Sequence, residues 1–331
     1  MGDPAKPSSS AFAGYVRRLS TAIGFSKTYN LFFYLFFGGA LLGFVLARFM
    51  FINIDNVFCG PGFSPTSRAS PGECYYYRSG LYRAGMLLHL ACFLPAGCLV
   101  VFQFLPVVRH KFIPAHRING YIILLLSVAG TAGALIITRR AFGGGLDVQT
   151  GFGMIAIMFL TSLLIAYINI KRLRIDQHRA WMLRAWFYAS ILLLQSVCVV
   201  LMCKQAGAII TVRPILFITA LIISKQDTYY EAIPCRLVQF LNSTGQFNDT
   251  FPPCSTPDSW TAVRADLNDN TTPLGPAASL RAGFGMAGWL ALFLHAIGVE
   301  IYVSSIPSQH LLSLAESLTM TLEAPSHPCQ E

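Results

Sequence analysis

The chain has 331 residues, of which 54% are hydrophobic and only 12% are charged, whereas soluble globular domains carry about 25% charged residues. This composition excludes a cytosolic enzyme and a disordered protein, because the chain has too little polar surface to cover a water-soluble globule. The net charge of +9 does not indicate a nucleic-acid partner, since the basic residues stand in short runs beside apolar blocks, as in loops that flank membrane spans.

Apolar blocks of about 20 residues or more follow one another along the chain, and this is the length that crosses a bilayer. They predict an all-α fold, a polytopic transmembrane helix bundle within residues 29–224 with one further span near the C-terminus. The predicted spans are 29–52, 81–108, 118–138, 151–170, 180–224 and 284–304. The remaining segments are an N-terminal segment at 1–28, a large polar loop at 225–281 and a tail at 305–331.

The basic residues of the connections predict the orientation, because cytoplasmic loops carry an excess of Lys and Arg. Eleven Lys and Arg residues lie in the N-terminal segment and in the second and fourth connections, against five in or beside the first and third, namely Arg68, Arg78, Arg83, Arg139 and Arg140. We therefore expect a cytoplasmic N-terminus, in an endomembrane or in the plasma membrane.

The tract 180–224 leaves two topologies open. As a single span it gives six spans and a lumenal 225–281 loop, and as a hairpin it gives seven spans and a cytoplasmic loop. The loop carries three glycosylation sequons and two cysteines that match two cysteines of the first loop, which favours six spans in an oxidising lumen. These residues are Asn242, Asn248, Asn270, Cys235, Cys254, Cys59 and Cys74. The sequence does not determine the disulfide pairing, and the absence of Lys and Arg from the tail favours seven spans instead.

Two stretches of the chain are similar to signature sequences of a known family. The stretches are RHKFIPAHRINGY at 109–121 and DQHRAWMLRAWFY at 176–188. They resemble those of DUF2306, a family of uncharacterised, largely fungal membrane proteins, over roughly Leu88 to Cys235. Against that family, residues 190–206 resemble an insertion, which is either genuine or an error of the gene model. Without them the fifth helix is a single span.

Ionisable residues at membrane edges predict a site, because such groups are costly in lipid and are commonly functional. We expect a cytoplasmic-face cluster in which His116, His178 and Glu300 are catalytic. The predicted ligand-binding residues are Gln103, Arg117, Arg179, Arg184 and Arg213. Arginine forks suit a phosphate, carboxylate or enolate of a lipophilic ligand, and histidine transfers protons near neutral pH. The alternative is structural: the arginines reach lipid head groups and the histidines cap helices.

A further constellation of histidines is compatible with haem. His116 and His178 would form an inner axial pair, and His89 and His295 an outer pair, as in electron carriers that resemble cytochrome b561. The arrangement departs from those carriers because no single helix supplies histidine at both depths. Haem b is therefore an alternative, and the sequence does not otherwise specify the cofactor.

Four functions remain open at this point. The favoured function is a membrane-bound enzyme or accessory protein that acts on a lipophilic small molecule, as in fungal secondary-metabolite biosynthesis. The others are a haem electron carrier, a transporter and a non-catalytic membrane protein. A transporter is disfavoured because the chain shows no inverted repeat and no pair of broken helices. The sequence indicates the lipid bilayer as a partner, and it specifies neither the substrate and reaction nor the oligomeric state.

Overall fold

A computed structural model describes residues 9–25, 28–60, 69–191, 229–241, 254, 256–266, 269 and 272–322, with side chains between residues 14 and 304. Within this part of the chain, five helical segments are long and apolar enough to cross a membrane. They are Thr28–Ile52, Gly80–Gln103, Ile113–Thr138, Leu146–Lys171 and Leu274–Ser304. The prediction of a helical, integral membrane protein is confirmed.

The N-terminal segment contains a helix that the sequence reading missed. This helix, α1 (Ser9–Ile23), ends at Gly24, whose φ of +91° turns the chain against Pro106. The first membrane segment then consists of α2 (Thr28–Phe33), a π-helical turn, α3 (Gly39–Arg48) and a short 3-10 turn.

A short helix, α4 (Cys74–Tyr77), leads into α5 (Gly80–Gln103). The predicted second span, 81–108, is divided: Leu105 is extended, and Pro106, which has no N–H to continue the helix, starts the separate α6 (Pro106–Lys111). After a break at Phe112, α7 (Ile113–Thr138) begins with Pro114 in its first turn, which is earlier than the predicted start at residue 118.

Helices α5 and α7 pack tightly because glycines replace side chains where they meet. A Cβ atom on Gly133 would lie 2.6 Å from the backbone nitrogen of His89, and one on Gly85 would lie 2.7 Å from the Ile136 side chain. Small residues allow this close approach, which in lipid supplies the packing energy that a hydrophobic effect between helices cannot.

The next pair is α8 (Leu146–Lys171) and α9 (Ile175–Ala189), joined by a tight turn in which Leu173 has a φ of +60°. Phe159 and Leu163 of α8 pack on Ala185 and Trp186 of α9 in the main buried cluster. Only the first part of the predicted 180–224 span lies within the described residues, so the choice between six and seven spans stays a prediction.

The predicted 225–281 loop has structure of its own, so the fold is mostly rather than entirely helical. Strand β1 (Tyr230–Pro234) pairs antiparallel with β2 (Trp260–Arg264), with Ala232 opposite Ala262. A short helix, α10 (Cys235–Leu241), packs its apolar face on the strands. The last helix, α11 (Leu274–Leu322), begins before the predicted start at residue 284 and continues into the predicted tail.

The bundle has two distinct ends. At the disulfide end, Cys59 pairs with Cys74 and Cys235 pairs with Cys254, and Phe240 of α10 packs against Tyr75 of α4. The two cysteine-bearing segments therefore lie on one side, as expected. At the opposite end, here called the histidine end, α5 finishes, α7 starts, α8 finishes and α9 starts.

Candidate functional site

A network of side-chain hydrogen bonds joins α5 to α7 at the histidine end. The Gln103 side-chain amide donates to the backbone oxygen of His116 at 2.9 Å, and its Nε2 lies 3.5 Å from Nε2 of the His116 ring. Asn119 in turn donates to Oε1 of Gln103 at 2.7 Å. Because an amide nitrogen can only donate, this contact assigns Nε2 of a neutral His116 ring as the acceptor and Nδ1 as the N–H donor.

The Nδ1 atom of His116 is enclosed and has no hydrogen-bond partner among the described residues. Buried polar atoms of native proteins are nearly always hydrogen-bonded, so each exception requires an explanation such as a bound ligand or water. His116 is thus positioned by Gln103 while its other ring nitrogen is available.

The second predicted histidine presents the opposite chemistry. Nδ1 of His178 lies 2.9 Å from the backbone oxygen of Ala166 on α8. Since a carbonyl oxygen can only accept, Nδ1 carries the proton and Nε2 of the neutral ring carries a lone pair. His178 and Arg179 also lie near enough to His116 to act electrostatically on its ring.

Arg109 joins this group, although the sequence reading did not select it as a site residue. Its side chain is partly buried, its Nε has no hydrogen-bond partner within the described part of the chain, and Arg179 is in electrostatic range. Burial, and to a smaller extent the charge of Arg179, lower the pKa of Arg109. Both Arg109 and Arg179 therefore act electrostatically on His116, and Arg179 also lies 3.6 Å from the exposed carboxylate of Asp176.

Arg109 also lines a cavity of about 370 Å³ between the first membrane segment, α5, α9 and α11. Its wall is mostly aromatic, with a few polar groups. The aromatic and polar lining residues include Phe25, Phe33, Phe37, Phe104, Trp186, Phe187, Tyr34, Asn30, His295 and Tyr302. A pocket of this size, apolar apart from a few polar groups, has the usual form of a small-molecule site.

The predicted residues Arg184 and Glu300 form a separate pair. Arg184 donates two hydrogen bonds to the Glu300 carboxylate, at 2.6 and 2.8 Å, and its guanidinium lies 4.7 Å from the centre of the Trp181 ring. This bidentate bridge ties α9 to α11 and occupies the carboxylate that was predicted to be catalytic. The catalytic role of Glu300 stays a prediction.

The other predicted ligand-binding residues do not all lie at the histidines. The structure brings Gln103 and Arg179 to the histidines, whereas the Arg117 side chain is exposed. Arg213 lies outside the described residues. The sequon residues Asn242, Asn248 and Asn270 also lie outside the described part.

The histidines of the proposed outer haem pair line different cavities. His89 lines a second cavity and holds its Nδ1 3.1 Å from the backbone oxygen of Gly130. His295 lines the cavity of Arg109, with its ring 6.3 Å from that of Phe187. The outer haem pair stays a prediction, and among the described residues no group of three or more His, Cys, Asp or Glu side chains is placed to hold a metal ion.

Comparison with known proteins agrees with the resemblance that the two sequence stretches carried. The family model DUF2306, described as a predicted membrane protein, matches residues 86–225. The chain is similar to DUF2306 over this segment, which is less than half of its length. This segment holds Gln103, Arg109, His116 and His178, so the histidine-end cluster lies within it.

One curated protein is also similar to the chain. Ava biosynthesis cluster protein G of Aspergillus versicolor is 28% identical over 261 residues, which cover 70% of this chain and 73% of that protein. No solved structure is significantly similar.

Proposed function

We propose that this protein is a membrane-bound enzyme that binds a lipophilic small molecule by an oxyanion at Arg109 and transfers a proton on it with His116 and His178. The observation that carries the proposal is Arg109 itself. It is a partly buried guanidinium in the wall of an aromatic cavity, with its Nε unpaired among the described residues.

Electrostatics favour an anionic ligand at this place. Arg109 and Arg179 repel each other, Arg179 is partly offset by the exposed Asp176 at 3.6 Å, and no described carboxylate acts on Arg109. A cluster of like charges in a partly desolvated site is stabilised when an opposite charge enters it. The guanidinium fork matches a carboxylate, phosphate or enolate, and the aromatic wall suits an apolar body.

The two ring tautomers suggest how the proton moves. Nε2 of His178 would accept a proton from the ligand, with the electron pair of the broken bond left on the ligand as an enolate or a similar oxyanion. Arg109 would hold the anionic group that the ligand already carries, and Nδ1–H of His116 would stabilise the new charge by a hydrogen bond. Return of the proton to a different atom completes an isomerisation or ring closure and requires no further reactant.

The biological setting is proposed from the relative. Because the similar Aspergillus versicolor protein is named for a biosynthesis cluster, we assign this protein to secondary metabolism. We place the histidine end on the cytoplasmic side, with six spans and a glycosylated 225–281 loop on the lumenal side. The placement is supported by the two disulfides, which lie at one end of the bundle. It is also supported by the course of the chain, because α9 starts at the histidine end whereas β1, the next strand described, adjoins the disulfide end.

A complementation experiment tests the enzymatic proposal. In the organism that carries the chain, a deletion strain receives the wild-type protein, His116→Asn, His178→Asn or the control His110→Asn, which changes an exposed histidine. We expect the wild type and the control to restore the missing metabolite. The two site variants should instead accumulate a lipophilic acid or phosphate precursor at equal protein levels. Full restoration by both site variants would refute the catalytic role.

The haem carrier is a second proposal, supported only by the proximity of His116 and His178 at one end. A visible absorption spectrum of the protein purified in detergent decides it. A Soret band that disappears in His116→Asn would support the carrier, and its absence from freshly purified wild-type protein would reject it.

A further inference from the structure

A second cavity, of about 380 Å³, lies in the half of the bundle that adjoins the disulfide end. It is lined by apolar and aromatic side chains of the first membrane segment, α5, α7, α8, α9 and α11. They include Phe93, Phe142, Phe159, Trp186 and Phe284. We call this cavity the Glu73 cleft, because the only carboxyl group in its described lining is that of Glu73.

Glu73 is held firmly at one end of the cleft. The residue is only 4% exposed, and its Oε1 accepts a hydrogen bond of 3.0 Å from the backbone N–H of Phe142. Tyr77, one turn further along, donates a second hydrogen bond to it. Glu73 is nevertheless not paired with any basic side chain among the described residues.

The turn that supplies the Phe142 N–H is strained. Phe142 has a φ of +48°, in the left-handed region that a bulky residue rarely adopts, and its ring stacks on Phe284 with the centroids 3.7 Å apart. Strain of this kind costs of order 1–3 kcal/mol and persists where the surroundings enforce it, often at ligand sites. Here it directs one N–H at Glu73 and places one ring in the cleft wall.

Burial governs the charge of Glu73. It raises the pKa of this carboxyl to about 7, against the opposing effects of the Phe142 N–H, Arg281 and Tyr77. At neutral pH the group is therefore about half protonated and able to donate a hydrogen bond. The titratable and charged groups around it, by electrostatic range or by lining the same cleft, are Tyr77, Arg281, Arg48, His89 and Tyr188.

The surrounding charges limit what can bind. Arg281 is buried, with only 8% of its surface exposed, and its Nη2 has no hydrogen-bond partner among the described residues. Arg48 lies elsewhere in the cleft wall. These two guanidinium groups oppose a cation, while Glu73, when ionised, opposes an anion. A neutral ligand that accepts hydrogen bonds is repelled neither by the guanidinium groups nor by Glu73.

We infer that the Glu73 cleft binds an uncharged lipophilic molecule that carries a carbonyl oxygen, and that protonated Glu73 donates a hydrogen bond to this oxygen. The cleft adjoins the cavity of Arg109, with Leu41, Trp186 and Ser190 in both walls, but Arg109 does not line the cleft and Glu73 does not line the other cavity. The carbonyl could belong to a free metabolite or to the ester of a bilayer lipid. Both sources present the same chemistry to Glu73.

Photolabelling tests this inference with a defined probe. The full-length protein, in nanodiscs of ether-linked phospholipid that contain no ester carbonyl, is exposed to a long-chain methyl ketone with a diazirine in its chain, or to the matching alkane. Labelled peptides are quantified by mass spectrometry. We expect the ketone to label the peptides that contain Phe93 or Phe284, and to label them more strongly than the alkane does.

Labelling by the ketone should fall about fivefold to tenfold between about pH 6 and about pH 8.5, the effect of losing one hydrogen bond as Glu73 ionises. Glu73→Gln should label equally at all of these pH values, because its amide donates throughout. The control Glu231→Gln, at the same end but outside the cleft lining, should behave as the wild type. Equal labelling by ketone and alkane, or a pH profile unchanged in Glu73→Gln, would overturn the inference.

A second arm identifies the source of the carbonyl. If the ester of a bilayer lipid occupies the cleft, ester-linked phospholipid in the nanodisc should reduce ketone labelling several-fold at about pH 6. If the occupant is a free molecule, labelling should be equal in the two lipids. Either result supports the cleft as a carbonyl site, provided that the Glu73→Gln profile is flat.

Discussion

Replacing Glu73 by glutamine should change how the stability of the protein depends on pH. Folding raises the pKa of this carboxyl from its ordinary value of 4.5 to about 7, so the folded state favours the protonated form. The stabilising effect is complete below about pH 4.5 and is lost as the pH rises through 7. A difference of about 2.5 pKa units corresponds to about 3 kcal/mol.

Thermal unfolding followed by intrinsic fluorescence measures this effect. The melting temperature of the wild type should fall by roughly 5 °C between about pH 5 and about pH 8. This is the shift that a loss of about 3 kcal/mol in unfolding free energy produces in a chain of this length. The Glu73→Gln variant should lack that decline, because glutamine accepts the Phe142 N–H without carrying charge. Asp176→Asn, at a side chain that is 97% exposed, should retain the wild-type profile.

The opposite result would refute the assignment of a buried, largely protonated carboxyl. If the wild type and Glu73→Gln lose stability in parallel as the pH rises, other groups determine the pH dependence. If Glu73→Gln is the less stable at about pH 8, the carboxylate is stabilised in the folded protein rather than destabilised.

Two further changes test the packing of the bundle. Gly133→Leu should prevent accumulation of folded protein, because its Cβ would lie 2.6 Å from a backbone atom, whereas Gly153→Ala, with nothing within 4 Å, should be tolerated; size-exclusion chromatography in detergent separates the two outcomes. For Arg184 and Glu300, single and double glutamine variants should give a coupling energy of only about 1 kcal/mol in thermal unfolding, because Glu300 is half-exposed. A coupling near zero would mean that the bridge does not hold α9 to α11.

The sequence predicted the membrane segments well because hydropathy over about 20 residues is a local property. It placed the end of the second span too late, since the blocks before and after Pro106 are equally apolar and only the missing N–H separates the helices. It missed the β1–β2 pair because strands of five residues give a weak signal, and the two are joined by contacts between segments about thirty residues apart.

The candidate sites were predictable to different extents. The two histidines were selected as candidates because each stands beside an arginine at the end of an apolar block. Arg109, in the same signature stretch, gave no separate signal, since its burial depends on the way α6 folds back against α1. Glu73 could not have been found: its environment is created by Phe142 and Arg281, which are distant in the chain.

The central claim is that the cavity of Arg109 holds a lipophilic oxyanion, and a paired binding measurement tests it most directly. The affinity of a dansylated long-chain carboxylic acid and of its methyl ester is measured by fluorescence titration in nanodiscs, with Arg117→Gln as the matched control because Arg117 is exposed. We predict that the wild type and the control bind the acid more tightly than the ester. Arg109→Gln should weaken acid binding roughly 10-fold to 100-fold, the effect of a lost charge-assisted hydrogen bond, and leave ester binding unchanged. Equal affinity for acid and ester, or acid binding that survives Arg109→Gln, would contradict the account.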